Sequence, residues 1–228
     1  MNRLLLPLFV FILLGIAGGT AWYLVYSHKE AVGQPAAVAT STDPLFTGDA
    51  IYTNGTYGFA LHYPETSDVE YSFSPDHQVG TSWRIHAAAD SRGTALVSIL
   101  PFATKSEDSY PRYYYALVRV GVSSDKKELA SCTKPVKDQG ETALPDEYIG
   151  GATWKVFAFE GAATMQYVKG VSYRTVFEGN CYAMEKIVSA SNYRDDPESL
   201  KDISDSELEK HYLELDKIVH SFIFARPN

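Results

Sequence analysis

Residues 52–64 read Tyr-Thr-Asn-Gly-Thr-Tyr-Gly-Phe-Ala-Leu-His-Tyr-Pro. Asn54-Gly55 is a strong turn pair, because both residues tolerate a left-handed backbone. After Gly58, the residues Phe59, Leu61 and Tyr63 alternate with Ala60 and His62, which places three apolar side chains on one face of a strand. Pro64 lacks the N–H that a sheet ladder needs and ends the run. The stretch therefore predicts a short hairpin whose second strand faces a core.

Outward from this stretch the chain reads mostly as strands. Residues 83–88 place Trp83, Ile85 and Ala87 on one face, and residues 95–100 form an apolar run ending at Pro101. Residues 113–122 set Tyr113, Tyr115, Leu117, Arg119 and Gly121 on one side. Residues 154–159 set Trp154, Val156 and Ala158 against Lys155, Phe157 and Phe159. Residues 172–177 and 181–188 predict a hairpin turning at Gly179-Asn180. One helix is clear over residues 205–220. Leu208, Tyr212, Leu215, Val219 and Phe222 recur at four- and three-residue spacing. Ser204 with Glu207, or Ser206 with Glu209, offers a capping box. Residues 124–132 suggest a second, short helix. Many strands with few helices predict an α+β fold with an antiparallel sheet covered by helices.

Residues 215–224 close the chain as a helix feeding the strand Ser221-Phe222-Ile223-Phe224. An opening of the form YxNxxYGFxLxYP and a closing SFxF resemble the PsbP-like superfamily. That group includes the photosystem II extrinsic protein and small bacterial exported or membrane-anchored domains. The resemblance covers the two ends of residues 50–228. It implies an α/β/α sandwich around an antiparallel sheet, with the first and last strands adjacent. The motif residues are structural, and no ligand or partner residue of the photosystem protein carries over.

The N-terminus reads differently. Residues 4–26 form a 23-residue run without a charge, about 35 Å long as a helix at about 1.5 Å per residue and enough to cross a bilayer core of about 30 Å. Trp22, Tyr23 and Tyr26 crowd its end, where amphipathic rings favour the interface. Arg3 precedes the run, so the expected orientation is N-terminus inside and the remainder outside the cytoplasmic membrane, as in a bacterial envelope. A cleaved signal peptide is the alternative, with Gly19-Thr20-Ala21 as its site and a secreted product. The expected organisation is a transmembrane signal-anchor over 1–26, a flexible Ala/Thr/Ser/Pro-rich linker over 27–49, and an extracytoplasmic domain over 50–228.

The 228 residues carry 20 basic and 28 acidic side chains, net −8. With Arg3 set aside, 19 basic residues remain on the outer part, net −9, so no attraction to nucleic acid is expected. Cys132 and Cys181 lie in that part and are expected to form a disulfide, since oxidising compartments preserve one. Two buried free thiols are the alternative.

Familiar chemical signatures are missing: the sequence contains no GxxxxGK[ST], GxGxxG, HExxH, GxSxG or CxxC. His211 and His220 are nine apart on the predicted helix and face opposite ways, with His211 expected to be exposed. The acidic run over 195–209 lacks calcium-loop spacing and reads as a solvated loop and helix start, with a weak Ca²⁺ site as the other reading. No metal, cofactor or catalytic residue is assigned.

Tyr110, Arg112, Tyr113, Tyr114 and Tyr115 form the densest aromatic patch. They make either a binding surface or a set of rings covering the core beneath a helix. The expected function is a membrane-anchored extracytoplasmic binding or accessory module for an envelope partner, not an enzyme. The alternative is an exported hydrolase with a site assembled from distant residues.

Overall fold

The computed structural model describes residues 46, 48–74, 79–103, 114–163, 166–191 and 204–225, all within the unit Asp43–Asn228. The expected membrane span over 4–26, and all but the end of the expected linker, lie outside the described residues. Among the described residues no helix is long and apolar enough to cross a membrane.

Among the described residues ten strands form two antiparallel sheets. β1 (Asp49–Asn54), β2 (Phe59–Pro64) and β10 (Ile223–Phe224) make the smaller one, with β2 in the middle. The other seven are β3 (Asp68–Glu70), β4 (Thr94–Ala103), β5 (Tyr114–Ser123), β6 (Thr142–Ile149), β7 (Ala152–Ala163), β8 (Gln166–Phe177) and β9 (Asn180–Ser191). Their order in the sheet is β3-β4-β5-β9-β8-β7-β6. Two helices follow the expected spans closely: α1 (Lys126–Ser131) and α2 (Asp205–His220). Asp125 caps α1, its Oδ1 accepting from Lys127 N at 2.8 Å. Ser204 Oγ accepts from Glu207 N at the start of α2.

Packing explains why the two ends of the domain belong together. On α2, Leu215, Ile218 and Val219 are buried, and Phe222 follows just beyond the helix. Phe222 stacks on Phe59 of β2 with centroids 5.1 Å apart and meets Trp154 of β7 edge-on, also at 5.1 Å. Phe224 stacks on Phe177 at 3.9 Å. Ser221 Oγ accepts His62 N at 2.8 Å, and Tyr182 Oη donates to Tyr57 O at 2.8 Å. Gly150, at φ 58°, turns β6 into β7 directly against the Phe222 carbonyl, where a side chain has no room.

Several expectations are corrected. Residues 83–88 are irregular rather than a strand. Trp83 and Ile85 are buried, so the alternation reported burial without regular pairing. β4 runs through Pro101 to Ala103 because a register shift between Ile99 and Phe102 accommodates the missing N–H. The β8–β9 turn is Glu178-Gly179, at φ 46° and 75°, with Asn180 already paired to Phe177. His211 is buried, not exposed: its ring lies on Phe102 with centroids 3.8 Å apart. β10 pairs with β2, the second strand of the opening hairpin, not the first.

Among the described residues an α/β/α sandwich is not clear. The fold is mostly sheet, and the long helix lies on one face only. The other face is covered by the irregular residues 79–93 and the short α1, because that face carries charge. Arg119, Arg174 and Glu185 point into it, and an apolar helix stripe could not satisfy them.

Candidate functional site

Seven strands at about 4.8 Å spacing make a sheet about 29 Å wide, while a helix covers about 10 Å of it. α2 lies over β5 and β9 and touches β2 and β4. Phe222 and Phe224 cover the Trp154 and Phe177 ends of β7 and β8 on the same face, and among the described residues the stretch around Ala158 and residues 167–171 is left open beside α2. The result is a groove of about 560 Å³ between α2 and the sheet. Leu208, Glu209 and Tyr212 line it from α2; Tyr114, Ala158, Tyr167, Lys169, Val171 and Val188 line it from β5, β7, β8 and β9; Leu144 of β6 forms the rim.

Strand alternation places each of these. On β8, Tyr167, Lys169, Val171 and Tyr173 share a face, and on β9 Tyr182, Met184, Lys186 and Val188 do. Tyr114 is buried, and burial, followed by the neighbouring Tyr167, Tyr212 and Glu209, raises its hydroxyl pKa. It keeps its proton at neutral pH. The Tyr212 ring is held by the Lys186 ammonium, 4.0 Å from its centroid, and Lys186 in turn pairs with Asp216 of α2. Lys169 Nζ lies 5.7 Å from the Tyr167 centroid. The lining thus offers aromatic faces, aliphatic surface, a protonated hydroxyl, one exposed ammonium and the exposed carboxylates of Glu160, the cross-strand neighbour of Lys169, and Glu209, a set suited to recognition.

Of the expected tyrosine patch, Tyr114 lies beneath α2 in the core and lines this groove, and Tyr115 is half-buried. Tyr110, Arg112 and Tyr113 lie outside the described residues, as do Asp195 to Asp202 of the acidic run. The patch reading found one wall of the groove. It missed Tyr167, Lys169 and Leu144, since the start of β8 and all of β6 went unread. Residues 142–149 contain Pro145 and the acidic pair Asp146-Glu147, and six of the eight are exposed, so no alternation marks them.

The opposite face holds a buried layer of charge. Glu185 accepts Arg119 Nε at 2.7 Å, Ile85 N at 2.7 and 3.0 Å, and Ser172 Oγ at 3.2 Å. Glu141 pairs with Arg174, accepts Val136 N at 2.7 Å and lies 3.4 Å from His86 Nδ1. Burial alone would raise the Glu141 pKa; the His86 hydrogen bond and Arg174 outweigh it and hold the carboxyl below its usual value. Glu128 takes Arg84 Nη2 at 3.2 Å and Ser91 Oγ at 2.7 Å. Arg119 and Arg174 also lie over Phe73 and Phe157, at 4.5 and 3.9 Å.

Cys132 and Cys181 are joined by a disulfide, the pairing expected of them, with Cα atoms 5.8 Å apart. The described histidines are engaged by acids or by an aromatic ring. His62 meets Asp49 at 2.9 Å, His220 meets Glu147 at 2.9 Å, His86 faces Glu141 and His211 lies on Phe102.

No protein-family model matches the chain, and no curated protein matches it. Among solved structures it is similar to cyanobacterial PsbP (CyanoP) from Synechocystis sp. PCC 6803. The TM-score is 0.39 at 9% identity, over 84% of this chain and 99% of that one. It is also similar to LpqN, involved in cell envelope biogenesis of Mycobacterium tuberculosis, with a TM-score of 0.36 at 10% identity, over 78% of this chain and 91% of that one. The first bears the name of the superfamily that the opening and closing motifs resemble. Likenesses at this level bear on neither ligand nor partner.

Proposed function

We propose that the domain is a non-enzymatic binding or accessory module, held outside the cytoplasmic membrane by an anchor over residues 4–26 and a linker over residues 27–49. The groove beside α2 carries this reading. Its rim and walls present Leu144, Tyr167, Val171 and Leu208 beside the exposed Lys169. An apolar segment of an envelope protein with a polar edge complements that surface: the apolar part lies on the tyrosine and aliphatic walls, and the polar edge meets Lys169 and its neighbours Glu160 and Glu209.

The test places a photoreactive residue at Tyr167 or Leu144 in the full chain in its own membrane, with Lys127 on the opposite face as control. The reading expects one protein adduct from both groove positions and not from Lys127, weakened several-fold by Lys169→Glu. Equal labelling from Lys127, or no adduct from either groove position, defeats it. The anchor is tested separately: release of the protein by alkaline extraction, or a mass matching cleavage after Ala21, rules it out.

A further inference from the structure

The charged face opposite the groove is closed by an irregular cover, residues 79–93, which is held both by the sheet and by α1. Ile85 N donates to Glu185 at 2.7 Å, Arg119 Nη1 donates to Gly80 O at 2.8 Å and Ser123 Oγ donates to Arg92 O, while Trp83, Arg84 and Ser91 connect to α1. Trp83 Nε1 donates to Ser91 Oγ at 2.8 Å, and Ser91 Oγ donates to Glu128 Oε1 at 2.7 Å. Arg84 reaches the other oxygen of Glu128 at 3.2 Å. The Trp83 carbonyl sits where a side chain at Gly121 of β5 would be, so the cover touches the sheet backbone directly.

α1 has six residues, too few to hold a helix in place by its own hydrogen bonds. Its first turn is fixed by the Asp125 cap. Its other end is fixed by Cys132, its C-terminal cap residue, which is bonded to Cys181 at the start of β9. Trp83, Cys132, Cys181 and Ala183 form a small buried cluster of their own, apart from the main core. One line of attachment therefore runs from β9 through the disulfide to α1, through Glu128 to Arg84 and Ser91, beside the direct bonds of Gly80, Ile85 and Arg92 to the sheet.

We infer that the Cys132–Cys181 disulfide is the latch of this cover. When a dithiol reductant breaks the S–S bond, two thiols form, and the reductant gives up two electrons and two protons and becomes a disulfide itself. α1 then loosens and draws Trp83, Arg84 and Ser91 with it, against the direct bonds of Gly80, Ile85 and Arg92 to the sheet, so the cover opens more often over the Arg119–Glu185 and Arg174–Glu141 pairs. The core under α2 and the groove lie on the other face and keep their packing. Both sulfurs are buried, so reduction proceeds through transient opening of α1 and is slow.

Hydrogen–deuterium exchange on the full chain in detergent tests this, with and without the dithiol and with reduction verified by thiol mass labelling. The expected result is exchange faster by about tenfold or more in residues 79–93 and 126–131, with β8, β9 and α2 unchanged. Unchanged protection over 79–93 in fully reduced protein overturns the inference. So does an equal loss over β8, β9 and α2, which makes the disulfide a staple of the whole domain. Glu128→Ala with the disulfide intact breaks the next link: 79–93 is expected to exchange faster while 126–131 does not. No change over 79–93 in that variant also overturns the proposal.

Discussion

At the scale of single residues, the energetics centre on charge without water. Arg119 and Glu185 are both essentially inaccessible. Arg119→Leu leaves the Glu185 carboxylate with only the Ile85 N–H and the Ser172 hydroxyl. A loss of about 3–5 kcal/mol is expected in urea denaturation, and Glu185→Leu in the same chain should restore part of it, because the uncompensated charge is gone. His211 gives a pH signature. Its pKa is lowered, chiefly by burial, with Glu214 and Glu207 opposing and Lys210 adding to the effect. As pH falls below the usual 6.5, the unfolded chain takes up a proton before the folded one does, so stability declines. His211→Phe should flatten the stability profile in that window. Glu141 acts lower down: its pKa is depressed below 4.5, so its contribution is present above that value and is lost as pH falls through the folded-state pKa. The substitution at 211 should leave that acid limb intact.

At the scale of elements, local rules account for what was legible. α2 spans the residues that its apolar stripe and Ser204 cap marked out. Ser204→Ala should cost about 1 kcal/mol in thermal unfolding, the usual loss for an N-cap. The β8–β9 hairpin was legible too, but its turn was displaced by one residue. Pairing continues to Phe177 and Asn180, so Glu178 occupies a left-handed position that costs a non-glycine residue about 1–2 kcal/mol. Glu178→Asn recreates the favoured Asn-Gly pair and should raise the melting temperature. A lower one would contradict the strain. The irregular cover and β6 were not legible for opposite reasons. The cover alternates apolar residues without being a strand, because Trp83 and Ile85 pack into separate small clusters. β6 is a strand without alternation, because it is an edge exposed along most of its length.

At the scale of the whole domain, one aromatic junction joins the two sheets. Phe222 touches Phe59, Trp154 and Phe224, which belong to β2, β7 and β10. Phe222→Ala should cost about 3–5 kcal/mol and reduce unfolding cooperativity between the small sheet and the large one, as followed by exchange in β2. The groove and the charged layer occupy opposite faces of one sheet. Lys169→Glu should therefore alter crosslinking at the groove while leaving the melting temperature within about 0.5 kcal/mol equivalent, as is usual for an exposed site.

The sequence by itself determined the elements whose signal is local: α2 and its cap, the opening hairpin at Asn54-Gly55, and the β8–β9 hairpin over the residues nearest its turn. Each follows from spacing within a few residues. Only the tertiary structure decided which strand face receives α2, which arginine meets which glutamate, and where the sheet stays uncovered. Arg119 and Glu185 are 66 positions apart, and Tyr114 and Tyr212 share a groove across nearly half the chain. Such partners are set by sheet order and by the limited width of one helix, and no local pattern encodes either.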